Sequence, residues 1–79
     1  MSKEVKKIVL QPSHVAVYNF VKGYIEKKIY APEVSEIARG VKLVDRQVFR
    51  ILDDLCYLKV ISREKRIKRS LKILKGLTE

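Results

Sequence analysis

The chain has 79 residues, which is room for one small domain, and no separate ligand domain is expected within it. Its 47% apolar content can build a core, but charges break every apolar run well short of the ~20 residues a membrane-spanning helix needs. A net charge of +9 points to a polyanionic partner, and a single cysteine excludes an internal disulfide framework.

Residues 1–10 set Val5, Ile8 and Val9 among lysines and suit an arm, a short helix or a strand. Gln11-Pro12-Ser13 opens a first helix over 11–29, with Pro12 at its first position, where a missing N–H costs no intrahelical bond. Val15, Tyr18, Val21, Tyr24 or Ile25, and Ile29 share one face at helical spacing. Val17 and Phe20 lie off that stripe, so a second buried contact is expected, with the termini or with another subunit. Gly23 is either a tolerated weak point, worth up to ~1 kcal/mol relative to Ala, or a place of close backbone approach.

A second helix is predicted over 32–40, with Pro32 at its first position and Glu33 and Glu36 in the first turn, where the helix dipole favours negative charge. Val34, Ile37 and Ala38 face one core, and Gly40 occupies the expected left-handed C-terminal position. Val41 to Val44 form a turn, and Asp45 is the expected N-cap of a third helix over 45–58. There Val48, Ile51, Leu52 and Leu55 make a stripe at i, i+3, i+4, i+7, while Arg46, Gln47, Arg50 and Asp53 point away from it. Cys56 falls beside Leu52 and Leu55, which suits a buried, reduced thiol better than a bridge between subunits.

Val60 and Ile61 begin a strand. Ser62 to Arg69 make a loop, and Ser70 to Leu74 return with Leu71 and Ile73 alternating against Ser70 and Lys72. A helix competes here, because Ile67, Leu71, Leu74 and Leu77 have helical spacing and no Gly, Asn or Pro marks a tight turn between Ser62 and Ser70.

The run Glu36-Ile37-Ala38, then Val41-x-Leu43, then Gln47-Val48-x-Arg50-x-Leu52-x-x-Leu55, then Val60-Ile61 resembles the winged helix-turn-helix of prokaryotic transcription regulators. It is similar to the MarR-like family and to the LexA N-terminal domain, the latter especially at Tyr30-Ala31-Pro32. The resemblance covers residues 10 to 75, with two departures: Lys42 replaces the glycine usual in the turn, and Lys59 the glycine usual before the wing strand. It favours the hairpin over the helix at 60–74. The fold it implies is mainly α with a small β-wing, and the function is sequence-specific binding of double-stranded DNA by a transcription regulator. Lys and Ile are abundant, whereas Gln11, Gln47 and Asn19 are the only carboxamides. That bias is found in hyperthermophile proteins, so a thermophilic archaeal source, viral or plasmid-borne, is expected.

No catalytic constellation is present. His14 is the only histidine and Cys56 the only cysteine, too few for a zinc site of about four ligands. The sequence contains no CxxC, HExxH, GxxxxGK[ST] or GxGxxG. Ser13 and His14 are neighbours that do not face each other on a helix, and no acid is placed to orient the imidazole. Asp53 and Asp54 diverge by about 100° around their helix. The expectation is therefore no enzyme, cofactor, metal or small-molecule ligand. No apolar segment follows the lysines of residues 1–11, so the expected location is the cytoplasm, or the host cytoplasm for a virus.

For DNA, the N-terminal half of helix 45–58 would enter the major groove and bring Arg46, Gln47, Phe49 and Arg50 nearest the bases. Arg50 has an alternative task in pairing with Asp53 or Asp54, and Phe49 in packing under the first helix. Residues 59 to 75 carry eight basic residues against one acid. Of these Arg63, Lys65, Arg66, Lys68 and Arg69 are the expected wing contacts to phosphate or the minor groove, and Ser35 and Lys42 are further phosphate candidates. Pairing on a palindrome suggests a homodimer, with Val5, Ile8, Val9, Val17, Phe20, Leu74 and Leu77 as its apolar interface. Two alternatives stand beside DNA binding: a winged-helix protein-interaction module in a replication or transcription complex, and an anionic membrane surface for a helical 59–77.

Overall fold

The computed structural model describes residues 9–64 and 69–76. Three helices, α1 (Pro12–Lys28), α2 (Val34–Val41) and α3 (Asp45–Tyr57), pack against one another, and two short strands, β1 (Ile61–Ser62) and β2 (Lys72–Ile73), follow. The strands pair antiparallel in the register Ile61 with Ile73 and Ser62 with Lys72, and β1 lies against α3. The hairpin reading of residues 60–74 therefore holds against the helical one. Among the described residues no helix is long and apolar enough to cross a membrane.

The core follows from the stripes on α2 and α3. Val48, Leu52 and Leu55 are fully buried, Ile51 nearly so, and Ile37 and Ala38 meet them from α2. Val60, Ile61 and Leu71 close the core from the hairpin side. α1 is phased differently from the sequence expectation. Its buried residues are His14, Val17, Tyr18 and Val21, while Val15 is 41% exposed. Ile29 lies beyond the helix end with φ 71°, 91% exposed, so it is not part of the stripe. The phase was misread because a histidine does not register as a core residue. His14 can be one because both its ring nitrogens are satisfied.

All three helices start in the same way: the side chain three residues after the N-cap accepts the N-cap's own N–H. Gln11 N–H donates to His14 Nδ1 at 3.2 Å, Glu33 N–H to Glu36 Oε1 at 2.8 Å, and Val44 N–H to Gln47 Oε1 at 3.3 Å. This moves two expected boundaries. Pro32 precedes α2, whose N-cap is Glu33, and the N-cap of α3 is Val44, with Asp45 one residue inside, where its charge suits the dipole.

The helix ends correct the glycine assignment. α2 closes with Leu43 N–H on Ala38 O and α3 with Val60 N–H on Leu55 O, at 2.9 and 3.0 Å, the long bonds of a Schellman end. The left-handed residues at these ends are Lys42 and Lys59, both at φ 62°. These are the two lysines noted in the sequence as standing where the resemblance sets glycine, and both take the left-handed conformation that glycine favours. Gly40 instead lies inside α2, because the Phe20 ring occupies the space its Cβ would need.

The two helical glycines should therefore respond oppositely to alanine. No atom lies within 4 Å of a Cβ built on Gly23, so no close backbone approach explains it. Gly23→Ala is expected to stabilise the fold by about 1 kcal/mol through helix propensity. Gly40→Ala must displace Phe20, an overpacking cost of about 1–3 kcal/mol against the same gain, for a net loss of up to about 2 kcal/mol. Urea titration of both variants checks the opposite signs.

Phe20 is thus partly buried against α2, and Val17 is fully buried. Neither belongs to a free subunit face. Val5, Ile8 and Leu77 lie outside the described residues, which leaves Val9 and Leu74, 67% and 54% exposed, of the proposed interface. Cys56 is a half-buried free thiol beside the core, its pKa pushed up mainly by burial.

Candidate nucleic-acid interface

α3 turns its apolar stripe into the core, which leaves Arg46, Gln47, Phe49 and Arg50 exposed on the opposite side of its first half. Phe49 is 45% exposed and does not pack under α1. The Arg63 guanidinium lies 5.3 Å from its ring centroid and approaches Asp53 Oδ1 at 3.4 Å. Arg63 therefore ties the start of the hairpin to α3 and is not a free wing cation.

Two acids of α3, Asp53 and Asp54, are engaged by other elements. Asp53 meets Arg63, and Asp54 Oδ2 lies 2.9 Å from His14 Nε2. Since Nδ1 accepts the Gln11 N–H, the ring proton belongs on Nε2, which donates to Asp54. The sequence reading that no acid orients His14 is thus corrected: the acid comes from 40 residues away. The bond pins α1 to α3. It also leaves Arg50 without an ion pair among the described residues, although Asp53 and Asp54 follow it at helical spacing. Arg46 is likewise unpaired among them. Gln47 has a structural task that the sequence reading did not see. Its Oε1 accepts the Val44 N–H, so bidentate pairing with adenine would have to share or give up this exposed cap bond.

Lys42 is exposed at the left-handed end of α2. Ser35 is exposed in the first turn of α2, between the carboxylates of Glu33 and Glu36, a setting that disfavours phosphate. Lys65, Arg66 and Lys68 lie outside the described residues.

Arg69, expected on phosphate, is turned inward. Its Nη1 donates to Ala31 O and to Glu36 Oε1, both at 3.1 Å, and lies 3.4 Å from the Tyr24 hydroxyl. Its Nη2 reaches Glu36 Oε2 at 3.5 Å and Glu33 Oε2 at 3.6 Å. The guanidinium carbon stands 4.7 Å from the centroid of the Tyr30 ring, which meets Tyr24 edge-on. Tyr24 in turn donates to Glu36 Oε2 at 3.0 Å. Glu33 and Glu36 are visible in the sequence as first-turn acids, but the pairing spans 33 residues and no periodicity signals it.

The Glu33 N–H, and after it the Tyr24 hydroxyl and Arg69, hold the Glu36 carboxyl below the ordinary carboxylate range, against burial acting the other way. The folded state then binds fewer protons than the unfolded chain between the two values. This contribution to stability is present above the ordinary carboxylate range and is lost as pH falls through it towards the folded value. Thermal melts from neutral pH into acid should show a shallower acid limb for Glu36→Gln than for the wild type.

No family model and no curated protein matches the chain.

Proposed function

We propose that the protein is a winged helix-turn-helix regulator that binds double-stranded DNA through the N-terminal half of α3 and the basic hairpin. The observation that carries this reading is the exposed pair Arg46 and Arg50, one helical turn apart and free of ion pairs among the described residues, beside exposed Phe49. Surface arginines near carboxylates normally pair with them. Here Arg63 and His14 take Asp53 and Asp54, which leaves two planar donors pointing off the domain. Arginine bonds guanine O6 and N7 together, and an exposed ring suits a thymine methyl. Lys42 and the basic residues between 59 and 75 other than Arg63 and Arg69 supply phosphate contacts.

One such module reads only a few base pairs, so two copies on a palindrome belong to the proposal. It rests on that length argument, because Val17 is core and Phe20 is partly buried against α2. Light scattering with and without DNA tests it. The function itself is tested by fluorescence anisotropy with duplex DNA at several salt concentrations. Affinity should fall steeply with salt, with a slope of about −0.9 per phosphate contact. Absence of binding at low salt would favour the protein-interaction module.

A further inference from the structure

We propose that Arg69 is the positioning residue of the wing: clasped by Glu33, Glu36, Ala31 and Tyr30, it fixes the inclination of the hairpin against the helix-turn-helix, and it does not touch DNA itself. The inference rests on the DNA-binding reading, and it takes one cation out of the contact set and gives it a different task.

Three observations carry it. First, the guanidinium is committed. Its donors point to the carbonyl of Ala31 and the carboxylates of Glu33 and Glu36, one face lies over Tyr30, and only 34% of the side chain is exposed. A phosphate would have to displace two carboxylates to reach it. Second, the hairpin is too short to set its own angle, since the paired strands hold two residues each. Its direction must come from ties outside the ladder. Arg63 ties the outgoing strand to α3 through Asp53 and Phe49, and Arg69 ties the returning side to α1 and to the start of α2. Ser70 joins the two sides, its Oγ accepting the Glu64 N–H at 2.8 Å and donating to Glu64 O at 3.0 Å. Third, the Arg69 backbone is left-handed at φ 59°, a conformation that costs any residue with a Cβ, and here, unlike at the exposed helix ends Lys42 and Lys59, the clasp is there to offset that cost. Glu33 and Glu36 also cap α2, the helix that carries α3, so the clasp joins the wing to the frame that aims the reading helix.

The test exploits a sign. Glu36→Gln removes a negative charge from a DNA-binding protein while keeping an oxygen for the Glu33 N–H. Electrostatics alone makes this variant bind DNA more tightly; loss of the clasp makes it bind more weakly. Wild type, Glu36→Gln, Arg69→Gln and Arg69→Lys are compared by anisotropy on one duplex across a salt series, at a temperature where melts show each to be folded. The expected result is several-fold weaker binding by all three variants with the wild-type salt slope, and a Glu36→Gln/Arg69→Gln double variant no weaker than either single. Arg69→Lys is included because an ammonium keeps a phosphate contact but cannot make the planar fork. Tighter binding by Glu36→Gln would overturn the proposal. So would a slope lowered by about 0.9 in Arg69→Gln, the mark of a lost phosphate contact. Lower melting temperatures with unchanged affinity would reduce the clasp to a stabilising contact and overturn it as well. Wild type that binds no duplex even at low salt would instead refute the underlying reading, an outcome visible before any variant is compared.

Discussion

Leu52→Ala should destabilise the domain by about 2–5 kcal/mol, the range for a fully buried leucine truncated in a close-packed core. Leu52 has no exposed surface and sits in the middle of the α3 stripe, between Val48, Ile51 and Leu55. The core cluster to which it belongs draws on every other element, with Ile37 and Ala38 from α2, Val17 and Val21 from α1, and Ile61 and Leu71 from the hairpin. A core drawn from all three helices and the hairpin restricts collapse onto a cavity there. The upper half of the range is therefore expected. A domain of this size has only a few kcal/mol in reserve, so the variant should be largely unfolded at temperatures where the wild type is intact. Circular dichroism melts and urea titration measure it. A loss below 1 kcal/mol would mean that the packing around α3 is not as described.

The second large effect concerns DNA. Arg46→Ala and Arg50→Ala should each weaken binding to a preferred duplex by about 1–3 kcal/mol and relax discrimination at one base pair, while leaving stability unchanged. Both side chains are exposed, lie on the side of α3 away from Leu52, and make no ion pair among the described residues. Gln47→Ala should behave differently from either. It removes the bond to the Val44 N–H at the start of α3, so it should lower stability by about 0.5–1 kcal/mol whatever it does to DNA binding. Selection of a preferred site from random duplex, followed by affinity on a panel of single-base variants, separates the cases. An Arg46→Ala or Arg50→Ala protein with unchanged selectivity across the panel would show that the residue is not a base reader.

The three helices and the side that α3 buries are legible in the residues alone, because these depend on contributions local in the chain. Pro12 starts α1 where its missing N–H costs nothing, and the spacing of Val48, Ile51, Leu52 and Leu55 names the core side of α3 whatever α3 packs against. The hairpin was legible only through the alternation of Leu71 and Ile73 and the family pattern, since helical spacing competed.

Tertiary structure decided the rest, and in each case the reason is a partner far away in the chain. Val17 lies off the expected stripe yet is core, since α1 turns His14, Val17, Tyr18 and Val21 inward, and His14, which looks like a surface residue, is satisfied there by Gln11 and Asp54. Gly40 looked like a helix terminator and is a seat for the Phe20 ring, while Lys42 and Lys59 take the left-handed positions. Four expected DNA contacts, Arg50, Arg63, Gln47 and Arg69, separate into a donor without an ion pair among the described residues, a tie to α3, a helix cap and a clasp on α2. Charge counts cannot make that separation. An arginine's availability depends on whether a carboxylate stands within about 4 Å of it, and for Arg69 the carboxylates belong to residues more than 30 positions away, brought there only by the packing of α1 and α2 under the hairpin.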